Sequence, residues 1–212
     1  MSETQATGRL QVAVFLSGTG RTLENLLAQR ATGALDIDIP VVISSRPGVR
    51  GLEVAVEAGI AAHVVSRREY QTPSAMSARI RELLAPHDIG LILLAGFLSQ
   101  VEILPEWEGR MLNIHPSLLP LFGGRGLYGT RVHEAVLASG MQVTGCTVHL
   151  VNAEYDAGPI VLQRCLPIHV DDTPETLGSR VFALECELYP EAIRLFAAGR
   201  LVPWGSGAGN RG

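Results

Sequence analysis

Charged residues make up only 18% of the 212-residue chain and aromatic residues only 5%. So few charges exclude a disordered polyelectrolyte, and so few aromatics mean that any core is built from Leu, Val, Ile and Ala. No basic run is present, and 17 Lys+Arg against 21 Asp+Glu leave a net charge of -4. That balance argues against a nucleic-acid binder held by bulk electrostatics. The three cysteines, Cys146, Cys165 and Cys186, are odd in number and show no Cys-x-x-Cys spacing. Neither a disulfide framework nor a structural zinc site is expected, and reduced thiols packed in a core fit a cytoplasmic protein. The longest apolar stretch, Ile89 to Leu98, is about half of the roughly 20 residues that a membrane span requires. The first residues, Met1 to Gln5, lack the basic start and apolar body of a signal peptide.

What is present is 47% hydrophobic residues arranged in alternating patterns. Short apolar runs at Gln11–Leu16, Ile39–Ile43, Ala62–Val65 and Ile89–Ala95 read as buried strands. Helical spacing separates them, from Thr22 onwards, over Val49–Ala58 and over Ser74–Leu84. Strand-helix alternation predicts βαβ units and a mainly parallel sheet. The second half is less regular, with a strand at Arg110–His115 and a helix around Thr130–Ala138. Two longer segments, Val143–Val151 and Ile160–Val170, suggest an antiparallel pair. Thr173-Pro174-Glu175 opens a last helix whose apolar face is Leu177, Val181, Leu184 and Leu188. Pro190 is expected to kink or split that helix. A single domain over 9–202, with flexible termini at 1–8 and 203–212, is the expected organisation.

Three segments carry chemistry. Ser17-Gly18-Thr19-Gly20-Arg21-Thr22 joins a strand to a helix, where free backbone N–H groups and the helix dipole attract an anion. Leu23 interrupts the dinucleotide fingerprint, and no Gly-Lys-Ser/Thr follows, so a phosphate monoester fits better than a dinucleotide; a simple tight turn fits equally. Asn113 and His115 lie two apart on a strand and therefore point to one side. That pairs an amide donor with a proton-transfer group at a strand end, although a structural histidine satisfies the same pattern. Asp156, in Asn152 to Pro159, is ordinary turn chemistry unless the turn folds over the sheet. There its carboxylate would favour the imidazolium form of His115. Thr147 and His149 share a strand face and read as either site lining or core.

Together these segments resemble the phosphoribosylglycinamide formyltransferases of the formyltransferase-fold family. The likeness runs from about Val12 to Leu201 and rests on five segments. They are the Ser-Gly-x-Gly turn, Leu94-Ala95-Gly96-Phe97, Asn113 through Pro120, Gly145 to His149, and Asp156-Ala157-Gly158-Pro159. The resemblance implies a three-layer α/β/α fold with a Rossmann-like N-terminal half. It also implies transfer of a formyl group from 10-formyltetrahydrofolate, as co-substrate, to the amine of glycinamide ribonucleotide in purine biosynthesis. In this reading Asn113 holds the formyl oxygen, His115 is the general acid and Asp156 keeps His115 protonated, with Thr147 and His149 supporting. Gly20, Arg21 and Thr22 match the phosphate turn, Glu185 matches a ribose-contacting acid, and Leu98, Ser99, Gln100 and Val101, with Asn113, match the folate side.

No metal, nucleic acid or membrane is implied, and the chain would act as a monomer or homodimer. Three departures predict a folate pocket altered in detail: Ser99 stands where the family often has arginine, the segment from Val101 to Gly109 is shortened, and a second arginine expected near Pro73 has no clear counterpart. A methionyl-tRNA formyltransferase is disfavoured because only a short tail follows Leu201. A formyltetrahydrofolate hydrolase or a non-catalytic folate or phosphate binder would be compatible with the same segments.

Overall fold

A computed structural model describes residues 8–203. Apart from Gly8 and Pro203, the terminal segments expected to be flexible lie outside the described residues. Seven strands form one sheet: β1 (Leu10–Leu16), β2 (Ile37–Ser44), β3 (Ala61–Val64), β4 (Leu91–Ala95), β5 (Met111–His115), β6 (Val143–Leu150) and β7 (Ile160–Pro167). Among the described residues five α-helices accompany them: α1 (Arg21–Ala31), α2 (Arg50–Glu57), α3 (Pro73–Leu84), α4 (Thr130–Ala138) and α5 (Pro174–Ala197). The strand order is β3-β2-β1-β4-β5-β6-β7. The first five strands in that order run parallel, and β6 is antiparallel to both β5 and β7.

Alternation along the central strands produces the layers. Val12, Val14 and Leu16 of β1 and Leu91 and Leu93 of β4 face a core completed by α1, α2, α4 and α5. Ala13, Phe15, Ile92 and Leu94 face the other way, against Met76, Ile80 and Leu84 of α3. Both faces are covered, so these strands are apolar throughout, as parallel strands must be. The chain winds outward from β1 to β3 and then returns through α3 to β4 on the other side of β1. The ends of β1 and β4 therefore diverge at a topological switch point, where open α/β sheets bind ligands.

The predicted elements are present with shifted ends. Strand β2 runs through Pro40, inside the run expected at Ile39–Ile43; the proline coincides with a register shift against β1 and precedes the first β3 pairing, at Val41. A proline is tolerated there because no ladder hydrogen bond is asked of its nitrogen. Helix α5 runs unbroken through Pro190. The missing N–H would have bonded the Cys186 carbonyl; that oxygen instead accepts from Asn25 Nδ2 at 3.0 Å and Gln29 Nε2 at 2.9 Å, both on α1. The cost of an interior proline is thus offset by a neighbouring helix. Only Cys146 of the three cysteines is buried; Cys165 is exposed because it sits on the outer face of the edge strand β7.

Candidate active site

A cavity of about 850 Å³ opens at the switch point. Its floor begins at the turn after β1. Gly20 has φ +80° at the start of α1, and a Cβ there would stand 2.6 Å from Gly51 Cα. Only glycine allows this turn to approach α2 and aim the first N–H groups of α1 outward. Arg21 and Thr22, on the first turn of α1, line the cavity beside Gly20. Ser17 ties the turn to its neighbours: its hydroxyl hydrogen-bonds that of Ser45 and accepts from Leu98 N at 2.9 Å.

Asn113 and His115 end β5, pointing to the same face as Met111. The β6–β7 turn lies over this part of that face. Val151 N still bonds Met111 O at 2.9 Å, and the chain then folds back so that Asp156 reaches both site residues. Its Oδ1 accepts from Asn113 Nδ2 at 3.2 Å, and its Oδ2 lies 3.5 Å from His115 Nδ1 and accepts from Gly124 N at 2.9 Å. The turn therefore folds over the sheet as the functional reading required. Gly158 makes that path passable, since a Cβ there would be 1.7 Å from Leu150 O. Gly158→Ala should cost at least about 2 kcal/mol of stability and displace Asp156. Chemical denaturation of the variant measures the first effect, and wild-type stability would show the approach to be slack.

The proton positions follow from the acceptors. His115 Nε2 lies 2.8 Å from the Phe122 carbonyl, so Nε2 carries a hydrogen and Nδ1, facing Asp156, gains or loses the titrating proton. His149 Nδ1 lies 2.9 Å from Leu150 O and must likewise donate. Its Nε2 is then a lone pair, which receives Asn113 Nδ2 at 2.9 Å. The Asn113 amide is thus oriented by two acceptors. Thr147, fully buried, donates to Ser117 O at 2.7 Å and accepts from Leu119 N at 3.0 Å, pinning the loop after His115.

The expectation that Asp156 keeps His115 protonated needs correcting. Burial pulls the His115 pKa down, and the attraction of Asp156, which opposes it, is the smaller effect; the net shift is below the ordinary imidazole value. His115 is only 4% exposed, which is why desolvation prevails. Asp156 is itself held below the usual carboxylate range: burial alone would raise it, but the charge of His115 and the hydrogen bond from the Gly124 amide are among the contacts that outweigh it.

Glu185 lines the cavity on α5, and its pKa is pushed up to about 7 by burial, against the pull of Arg21. Folded and unfolded chains both hold this proton below about pH 4.5; between 4.5 and 7 only the folded chain does. Stability from this group is therefore lost as pH rises from about 4.5 to 7, on the order of 1–3 kcal/mol. Glu185→Gln should raise the melting temperature at pH 8 and leave it nearly unchanged at pH 5. Equal shifts at both values would refute the burial argument.

Of the five residues matched to the folate side, Leu98 and Asn113 reach the cavity wall, with Ala95, Gly96 and Phe97. Val101 packs in the α3-side core, Ser99 is half-buried away from the cavity, and Gln100 Nε2 donates to Ala153 O at 3.1 Å, bracing the Asp156 turn. The wall bends inward after β4 as it follows the core, which a linear motif does not show. Residues missed by sequence reasoning line the opposite wall: Arg125, Tyr128 and Arg131 around α4's start, His133 within it, and Phe182 on α5. Phe182 was discoverable, since it lies three residues before Glu185 and four after Gly178, on one helix face.

Fold and cluster define a switch-point α/β protein with an amide, an imidazole and a carboxylate gathered at one cavity. A family model described as formyl transferase matches residues 10–193, and the chain belongs to that family. It is similar to the trifunctional purine biosynthetic protein adenosine-3 of Gallus gallus, with 40% identity over 195 residues, 91% of this chain but only 19% of that protein. The chloroplastic phosphoribosylglycinamide formyltransferase of Arabidopsis thaliana is 37% identical, over 87% of this chain and 64% of its own. Among solved structures, glycinamide ribonucleotide transformylase 1 from Symbiobacterium toebii superposes with a TM-score of 0.85 at 38% identity, covering 97% of this chain and 95% of its own. No helix among the described residues is long and apolar enough to cross a membrane.

Proposed function

We propose that the chain is a phosphoribosylglycinamide formyltransferase, moving the formyl group of 10-formyltetrahydrofolate to the amine of glycinamide ribonucleotide. The observation that carries this reading is the convergence of Asn113, His115 and Asp156 at a cavity that also holds the glycine turn and Glu185. The glycine turn offers N–H groups and Arg21 to the substrate phosphate, and Glu185 faces the ribose hydroxyls. The amine attacks the formyl carbon and a tetrahedral oxyanion forms. Asn113 donates to that oxygen by exchanging its longer bond, the 3.2 Å one to Asp156. The growing negative charge raises the His115 pKa, so that Nδ1, beside Asp156, takes up the proton that the attacking amine must shed, directly or through water. Collapse then expels the folate nitrogen, which regains a proton from His115 or water.

The folate would lie against Leu94 to Leu98 and the Asn152 to Pro159 turn. The reading requires no metal and no nucleic-acid partner, and places a monomer or homodimer in the cytoplasm. Purified protein given both substrates should produce tetrahydrofolate, followed spectroscopically. No production would refute the assignment. Tetrahydrofolate with free formate, formed without the ribonucleotide, would identify a hydrolase; binding of either substrate without turnover would identify a sensor.

A further inference from the structure

The Arg21 guanidinium carbon lies 3.7 Å from the centroid of the Phe182 ring, so the cation rests on the aromatic face. Among the described residues Arg21 makes no salt bridge, although the Glu185 carboxyl is close enough to be pulled by its charge. Both Arg21 and Phe182 line the cavity, Arg21 from the first turn of α1 and Phe182 from α5. A flexible arginine at a helix N-terminus ordinarily loses rotamer freedom when it captures an anion. Here the face of the guanidinium is occupied by the ring, while its edge, where the five N–H donors lie, carries no ion pair. Arg21 is itself the first residue of α1, next to the backbone N–H groups that follow Gly20.

We propose that Phe182 is a positioning residue that holds Arg21 flat so that its donor edge, together with the first N–H groups of α1, selects a phosphate monoester. This rests on the reading above and assigns to an aromatic side chain the specificity for phosphorylated over unphosphorylated amines. Glu185 lies one helical turn on from Phe182, so α5 presents the arginine's platform and an oxygen acceptor on one stripe. The sugar phosphate would bridge α1 and α5, with its charged end at the stacked arginine and its hydroxyls at Glu185.

The test compares Phe182→Leu, which keeps an apolar side chain without a π face, with Phe182→Trp, which keeps the face. Phe182→Leu should raise KM for glycinamide ribonucleotide roughly three- to tenfold, with a smaller change in kcat, and Phe182→Trp should restore it. The increase should vanish in an Arg21→Ala background, because the ring acts through the arginine. An equal increase in both backgrounds, or no rescue by Trp, would reduce Phe182 to packing. Inorganic phosphate provides a readout independent of turnover: it should protect the wild type against thermal unfolding at lower concentration than it protects Phe182→Leu. If the wild type fails to turn over but this difference persists, the assigned reaction fails and the role of Phe182 stands. If turnover is present and the two proteins respond alike to phosphate and substrate, Phe182 has no such role.

Discussion

Asp156→Asn is expected to lower kcat by roughly 10²- to 10⁴-fold while changing stability by no more than about 2 kcal/mol. The substitution suits the backbone, because residue 156 has φ +53° and asparagine tolerates that region as well as aspartate does. The damage is electrostatic. One carboxylate now accepts from Gly124 N and Asn113 Nδ2 and faces His115 Nδ1, while an amide presents one acceptor oxygen and an NH₂ that opposes those donors. The sign of the pH effect follows. His115 is already below its ordinary pKa, and Asp156 is the main group holding it up. Removing the charge lowers that pKa further, so a rate that depends on protonated His115 begins to fall at lower pH. His115→Ala should cost at least as much, and the double variant should lose less than the two single losses multiplied together. Strictly multiplicative losses would mean that the two residues act separately.

Asn113→Asp should be nearly as damaging, lowering kcat about 10³-fold. The exchange is almost isosteric, but it replaces a donor with a second carboxylate where Asn113 Nδ2 now stands 3.2 Å from Asp156. Two carboxylates at that separation cannot both ionise at ordinary cost, so the pair should share a proton. Three losses coincide: the donor to the formyl oxygen, the bond to His149 Nε2, and the neutral surroundings in which an oxyanion can grow. Part of the activity should return as pH falls and the introduced carboxyl takes up a proton. Single-turnover rates between about pH 5 and 9, spanning the range in which such a pair titrates, provide the measurement. A variant within tenfold of wild type, with a flat profile, would remove Asn113 from the chemistry.

Local pattern carried the secondary structure a long way. Apolar runs of strand length, separated by helical spacing, are sufficient to predict four strands of a mainly parallel sheet, because in the central strands β1 and β4 burial on both faces leaves no polar alternation to confuse with anything else. The start of α5 was legible for a similar reason: Thr173 accepts from Thr176 N and Pro174 occupies the first turn, both matters of adjacent residues. Pro190 shows where such reading stops. Its consequence depends on Asn25 and Gln29, which lie far away in the chain, on α1, and satisfy the orphaned Cys186 carbonyl.

The candidate site divides along the same line. Two-residue spacing on a strand by itself determined that Asn113 and His115 share a face, and a glycine turn between strand and helix determined a place for an anion. Only the tertiary structure decided that Asp156 meets them, since that required the β6–β7 turn to fold back over β5 past Gly158. Only it decided which wall residues count, with Val101 drawn into the core and Phe182 brought under Arg21. The protonation of His115 belongs to tertiary structure as well. A nearby carboxylate raises an imidazole pKa and burial lowers it, and the depth of burial that settles the contest is a property of the packed chain.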